Sequence, residues 1–387
     1  MKPRIVITGA GAVCGAGRDP QSIFEAIAEG RSAIAPIEGW DTSAWPVKIA
    51  AEIRDFNARA LVDDRKLHKL IRRTDMLGIY AGDRAAETAG YATYRDTLPE
   101  DTAATFSDRT GIYVGSGGGA FENQYDYFPL MAEAKGDLGK FGRDLPDTVN
   151  PMWLLRTLPN NVLCHVGIRN RLKGANACIT NHSVGGTLAV IEAAEALRNG
   201  EADRALAIGH DTPIEPQNVL YYHACGLLSP DTLRPFDRNR NGSVFGEGAG
   251  ALALDTEEAA EARGARVIGE VMGGGYVSEG CGLLSISDDG DGVARAIEAA
   301  LADAGIAAAD VGMIVAHGNG TAQSDASEAQ ALRRVFGAAC PPVTAFKWAI
   351  GHLIAAAGII ETTIALAALH AKTVPGIATL ERVDATC

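Results

Sequence analysis

Four polar side chains stand where they could do chemistry. They are Ser183 in TNHSVGG (180–186), His317 in AHGNGT (316–321), and Lys347 and His352 in KWAIGHLIAAAG (347–358). Each follows a short apolar run and is flanked by glycine or alanine, small neighbours that leave room for a ligand. A serine at the start of a helix meets unpaired backbone N–H groups and the positive end of the helix dipole. A nucleophile there finds a developing oxyanion already stabilised. The same serine also fits a plain helix cap, and a lone histidine is often a satisfied structural residue, so both uses stay open for these positions.

The elements that must carry these groups follow from the pattern around them. In NACITNHSVGGTLAVIEAAEALRNG (176–200) an apolar run passes through a polar corner into a helix, with Leu188, Ile191, Ala194 and Leu197 at helical spacing and Gly200 as a stop. Gly185 and Gly186 are read as space for a substrate to approach the backbone, Cys178 as lying inside the strand. His182, one residue before Ser183, is expected on the opposite side of that strand in a structural role. KPRIVITGAGAVCGAG (2–17) reads as a buried strand entering a glycine-rich turn, residues 23–28 and 66–89 as helices, and 108–119 as another strand ending in glycines. Residues 121–150 read as an excursion from the core, and 234–255 as a turn followed by a glycine-rich hairpin at 242–250.

The order then repeats. Residues 266–277 echo the opening strand, 310–321 echo 108–119, and 343–370 echo the corner at Ser183. A repeat this long predicts two similar α/β halves, 1–255 and 256–387, with a site where they meet at strand ends. No counterpart of the 242–250 element follows in the second half before Cys387.

A net charge of −13 over 387 residues argues against nucleic acid as the main partner. Seven cysteines, an odd number without CxxC spacing, and a start without a signal-peptide pattern predict a cytoplasmic protein with free thiols. The longest apolar run, 349–369, contains His352, Glu361, Thr362 and Thr363, so it is read as a buried helix and not a membrane span. A dinucleotide fingerprint at the N-terminus fails because Cys14 occupies the place of the last glycine.

Taken together, RIVITGAGAV (4–13), GIYVGSGGG (111–119), LKGAN (172–176), RPFDRNRNG (234–242), GEGAGALAL (246–254), HGNGT (317–321) with SDASEAQAL (324–332), and KWAIGHLIAAAGIIE (347–361) fall in one familiar order. Over nearly its whole length the chain resembles the β-ketoacyl-acyl-carrier-protein synthases of the elongating type. The resemblance implies an α/β thiolase fold of two βαβαβ halves layered αβαβα, and it implies catalysis without a cofactor of the protein's own, the phosphopantetheine arriving on an acyl carrier protein. His317 and His352 match the family's two histidines, which assist malonyl decarboxylation and condensation, and Lys347 matches the family lysine. Thr321, Asn319 and Glu328 fall on the substrate side, and the implied assembly is a homodimer or a heterodimer with a ketosynthase.

This chain departs from the family where the acyl group would be held. Ser183 stands at the place of the family cysteine, and Asn181-His182 replaces Thr-Ala before it. A thiol with pKa near 8.5 is partly ionised at a helix N-terminus, whereas a hydroxyl keeps its proton until a base removes it. Asn319 stands for a usual threonine and Ser243 for a usual phenylalanine, and the family's last hairpin carries a glycine-phenylalanine loop that is not found here. Two functions are therefore expected to compete: acyl transfer, decarboxylation or condensation on carrier-bound thioesters, and a non-condensing subunit of the chain-length-factor kind. A serine hydrolase fits poorly, because Asn181 breaks the GxSxG elbow and HGNG follows the nucleophile instead of preceding it.

Overall fold

The computed structural model describes residues 2–117, 127–282 and 285–387. Its strands are β1 Ile5–Cys14, β2 Ala35–Pro36, β3 Ile49–Ala50, β4 Thr110–Ser116, β5 Asn176–Ile179, β6 Arg204–Asp211, β7 Gly248–Thr256, β8 Gly269–Glu270, β9 Ile314–Val315 and β10 Val343–Thr344. Six of them form one mixed sheet in the order β5-β4-β6-β7-β1-β8. The β5-β4-β6 pairs are parallel, and β7 runs antiparallel to both β6 and β1.

Strand periodicity assigns the two faces of this sheet. In β7, Ala249, Ala251 and Ala253 join the core cluster containing Leu77, Ala81 and Ala85 of the Arg73–Thr88 helix, while Leu252 and Leu254 join the cluster on the other face. That second face is covered by the Gly185–Arg198 and Ala357–Ala371 helices. Beyond the Ala357–Ala371 helix lies the parallel pair β9–β10, whose Val315 packs toward Ile360 and Ile364. The result is layered α/β architecture in which two helices, one from each half, share the centre.

Several sequence expectations are corrected by packing. The glycine-rich turn read after the opening strand falls at 15–17, where Cys14 and Gly17 exchange backbone hydrogen bonds, while Gly9 and Gly11 lie inside β1, where a Cβ would stand 2.4 or 2.2 Å from a carbonyl of the Arg73–Thr88 helix. Gly186 serves close approach of protein, a Cβ on it meeting the Ala355 carbonyl at 2.6 Å, whereas a Cβ on Gly185 would come no nearer than 3.4 Å to its neighbours. Residues 242–250 form no hairpin. Gly248–Thr256 is one strand inserted between β1 and β6, and the residues before it bridge singly, Phe245 to His352 and Gly246 to Ala51. The echo at 266–277 yields only the two-residue β8, which extends the first half's sheet at β1.

Of the expected excursion, 121–126 lies outside the described residues, as do Gly118 and Gly119; the rest contains the Phe128–Ala134 and Leu138–Thr148 helices. The stretch Ile354–Ala371 has the length and apolar composition to cross a membrane. Here it packs between β7 and the Pro20–Ala28 and Gly185–Arg198 helices.

The repeat at the two corners is close. His182–Val184 and Ile354–Ala356 are both single 3-10 turns leading into the long central helices, and the first residue of each is left-handed, φ +44° at His182 and +45° at Ile354. Ser183 and Ala355 therefore occupy equivalent positions in the two halves.

Candidate active site

Ser183 lies on the turn between β5 and the Gly185–Arg198 helix. It does not cap that helix: Val184 occupies the cap position, and no side chain accepts from the first turn. Its Oγ instead lies 2.9 Å from His182 Nδ1, and His182 Nε2 makes a short hydrogen bond with the Tyr222 hydroxyl. This overturns the expectation that His182 points away. Alternation across a strand requires extended backbone, and the left-handed φ at His182 brings its ring round beside the serine.

Ser183 and His317 line one cavity of about 360 Å³, with Val184, Thr187, Val315 and residues of the Ala357–Ala371 helix. The His352 ring lies edge-on to that of His317, centroids 5.2 Å apart and planes at 82°. His352 is buried, and its Nδ1 accepts the Ile354 N–H at 3.2 Å. Nε2 is thereby left as the proton-bearing, donating nitrogen of the neutral ring.

Burial, followed by the charge of Lys347, holds both imidazoles well below the usual histidine range; His317 and His182 add to the effect on His352. At neutral pH both rings are uncharged. The lysine is fully buried, with Nζ 2.8 Å from the His317 carbonyl and 2.7 Å from Glu361 Oε1. Glu361, pushed up by burial and held down by Lys347, also lines the cavity.

The loop carrying His317 is set by carboxylates. Glu328 accepts the His317 N–H at 2.6 Å and the Gly318 N–H at 2.9 Å, and Asp325 accepts the Gly320 N–H at 3.1 Å. Both oxygens of Glu328 are thus taken up by backbone. Asn319 Oδ1 accepts from the Thr321 N–H and hydroxyl at 2.9 and 2.8 Å. Asn319, Thr321, Lys347 and His352 are not among the cavity's lining residues, so the structure brings Ser183 and His317 to its wall and stacks the others behind or beside them.

The His352 loop is braced by the segment before β7. His352 N donates to the Val244 carbonyl at 2.7 Å, and Gly246 N donates to the His352 carbonyl at 3.0 Å. A Cβ on Gly246 would stand 2.1 Å from the Ile350 carbonyl, so only glycine lets the two segments lie this close. Phe245, between them, packs edge-on against Tyr222, ring centroids 4.9 Å apart. A continuous set of contacts therefore runs from His352 through Phe245, Tyr222 and His182 to Ser183.

Sequence reasoning missed Tyr222 altogether and noted Glu361 only as a polar interruption of an apolar run. A lone acid in such a run signals a buried cationic partner, and Lys347 was the available one. Tyr222 gave no comparable signal.

The β-ketoacyl synthase N-terminal domain matches residues 2–260 and its C-terminal domain matches 268–381. The chain belongs to the β-ketoacyl synthase family. This is a family of enzymes of fatty-acid and polyketide biosynthesis. The β-ketoacyl synthase chain is 32% identical over 382 residues to 3-oxoacyl-[acyl-carrier-protein] synthase 2 of Staphylococcus aureus (strain COL), spanning 97% of this chain and 87% of the relative. It is 33% identical over 390 residues to nodulation protein E of Rhizobium sp. (strain N33), spanning 100% and 91%. Among solved structures, a β-ketoacyl synthase from Burkholderia phymatum STM815 superposes with TM-score 0.87 at 27% identity, covering 100% of this chain and 90% of that one. The ishigamide ketosynthase/chain length factor superposes with TM-score 0.86 at 27% identity, covering 100% and 91%.

Proposed function

We propose that this β-ketoacyl synthase is an acyltransferase acting on acyl and malonyl thioesters of a carrier protein, with Ser183 as the acyl acceptor in the place of the family's cysteine. The observation that supports it most is the shared cavity: Ser183 and His317 on one wall, with His352 packed edge-on behind the latter as a neutral N–H donor. Loss of carbon dioxide from a malonyl thioester leaves an enolate oxygen. Two neutral imidazole N–H groups stabilise that oxygen more than they do the ground state, which lowers the barrier without net proton transfer. Burial, and after it the charge of Lys347, keeps both rings neutral, and Glu328 fixes the His317 backbone, so Glu328 acts in this reading by positioning. Asn319 and Thr321, bonded to each other near the same loop, are assigned to the arm of the carrier-bound substrate.

Transfer from thioester to serine is downhill because an oxyester is the more stable product. Attack of the enolate on that oxyester is slower for the same reason, so decarboxylation and acyl loading are expected to exceed condensation. A second reading is favoured by the serine itself and by the similarity to a ketosynthase/chain length factor structure: a non-condensing subunit paired with a ketosynthase. The partner in either case is an acyl carrier protein, and a solved ketosynthase complex with its acyl-carrier protein is among the similar structures. The cytoplasm is the proposed setting, in keeping with seven free cysteines.

The test is incubation with acyl-carrier protein followed by peptide mapping, together with malonyl decarboxylation by the wild type and by His317→Ala. An acyl adduct on Ser183 and a loss of decarboxylation of at least 100-fold are expected. An adduct elsewhere, or an unchanged rate, refutes the assignment. Ser183→Cys should raise condensation; no gain would favour the non-condensing subunit.

A further inference from the structure

We propose that His182 is a catalytic residue of this chain, the general base that takes the proton from Ser183, and that Tyr222 positions it. The inference rests on the acyl-transfer reading above and goes beyond it, because among the described contacts neither His317 nor His352 bonds the Ser183 hydroxyl. A serine hydroxyl is a poor nucleophile until its proton is removed, and here the only side-chain partner described for Ser183 Oγ is His182 Nδ1, at 2.9 Å.

The arrangement has the parts of a nucleophile–base–orienter array. Tyr222 engages Nε2, and its ring stacks parallel to the imidazole, planes at 8° and centroids 6.2 Å apart. Burial pushes the Tyr222 phenol up to about 12, so it remains protonated; in the proposed tautomer its oxygen accepts the Nε2–H, which leaves Nδ1 free to accept from the serine. Burial also lowers the pKa of His182, so the ring is neutral and able to act as a base at neutral pH. The left-handed backbone at His182, shared with Ile354 at the equivalent corner, is what sets the ring beside the hydroxyl.

In the step itself, the Ser183 Oγ–carbon bond forms at the thioester carbonyl as the Oγ proton passes to His182 Nδ1. The carbon–sulfur bond then breaks, and the imidazolium returns the proton to the leaving thiolate. No further reactant is needed. His317, on the cavity wall, and His352, packed edge-on against it, remain free for the malonyl unit.

Ser183 nucleophilicity can be read without any carrier protein, by the rate at which a fluorophosphonate reagent labels it. The P–F bond breaks, fluoride leaves and the proton goes to the base. Wild type should label at Ser183, located by peptide mapping, and Ser183→Ala should not. His182→Asn, which tolerates the left-handed backbone but is not basic, should label about 100-fold more slowly. The groups facing His182 are Ser183 on its own turn, Tyr222 from the Pro216–Ala224 helix, Asp211 at the end of β6, and His352. The wild-type rate should level off near neutrality and fall as acid protonates His182, below the usual histidine range. Tyr222→Phe should move that acid limb to lower pH, because the imidazolium loses its acceptor, a shift that loss of packing alone does not produce.

Absence of label on Ser183, or wild-type labelling by a His182→Asn protein that melts normally, overturns the proposal. Should that variant fail to fold, a wild-type rate that stays flat into acid overturns it equally. Normal labelling with no carrier-dependent adduct would leave the His182–Ser183 pair standing and remove the acyl-transfer reading instead.

Discussion

Lys347 shows what a single buried charge does for this site. Its ammonium is held by the His317 carbonyl and by Glu361, whose side chain is only 11% exposed. Lys347→Met should destabilise the protein by about 3–5 kcal/mol, because it leaves a buried carboxylate without its partner. Lys347→Met combined with Glu361→Gln should recover part of that loss, as measured by denaturant midpoints; strict additivity would show that the pair is not coupled. Removing the cation also lets the pKa values of His317 and His352 rise toward the ordinary value. The neutral rings then exist only at higher pH, and the acid limb of decarboxylation should move upward. The identities of His317, His352 and Lys347 were legible because each follows a strand within a run of small residues. His182 was misread because periodicity presumes an extended backbone, and one left-handed residue reverses the side a ring faces.

At the level of elements, most of the sequence's helices and strands appear where apolar spacing put them, and the misreadings cluster at glycines. Glycines taken for a hairpin at 242–250 and, at 186, for substrate access serve backbone-to-backbone contact. Sequence patterning marks a glycine without saying which neighbour needs the space, since that neighbour lies far along the chain. Gly246 is the informative case. Gly246→Ala would force the segment before β7 away from Ile350, which loosens the two backbone hydrogen bonds that hold the His352 loop. An overpacking cost of about 1–3 kcal/mol is expected. Decarboxylation should fall more than Ser183 labelling does; equal loss of both would mean that the bracing is general and not specific to His352.

For the whole molecule, the spacing of the echoes made the two-part plan readable and left the second part without a counterpart of 242–250, but it did not foretell how few strands that part would show. One half builds a sheet of six strands, including β8 from beyond the first half, and the other shows the two-strand pair β9–β10 among the described residues. β5 lies at the sheet's edge, paired on one side with β4, and Ile168 on the adjoining Asn161–Asn170 helix is 72% exposed. An edge strand with open backbone groups invites a second chain. The expected assembly is a dimer through this edge, and light scattering should return twice the chain mass; a stable monomer would contradict it.

The two central helices lock together at their first turns: a Cβ on Gly358 would fall 1.9 Å from the Thr187 hydroxyl oxygen, just as one on Gly186 would collide with Ala355. Each lobe thus wedges its smallest residue against the other's corner, and Thr187 and Gly358 of this clasp line the same cavity as Ser183 and His317. Enlarging either glycine should push the two helices apart at the first turns beside Ser183. Tuning for longer or shorter occupants is expected at Thr362 and Ala365, one and two turns further along the same helix face, where side chains can change size without touching the clasp.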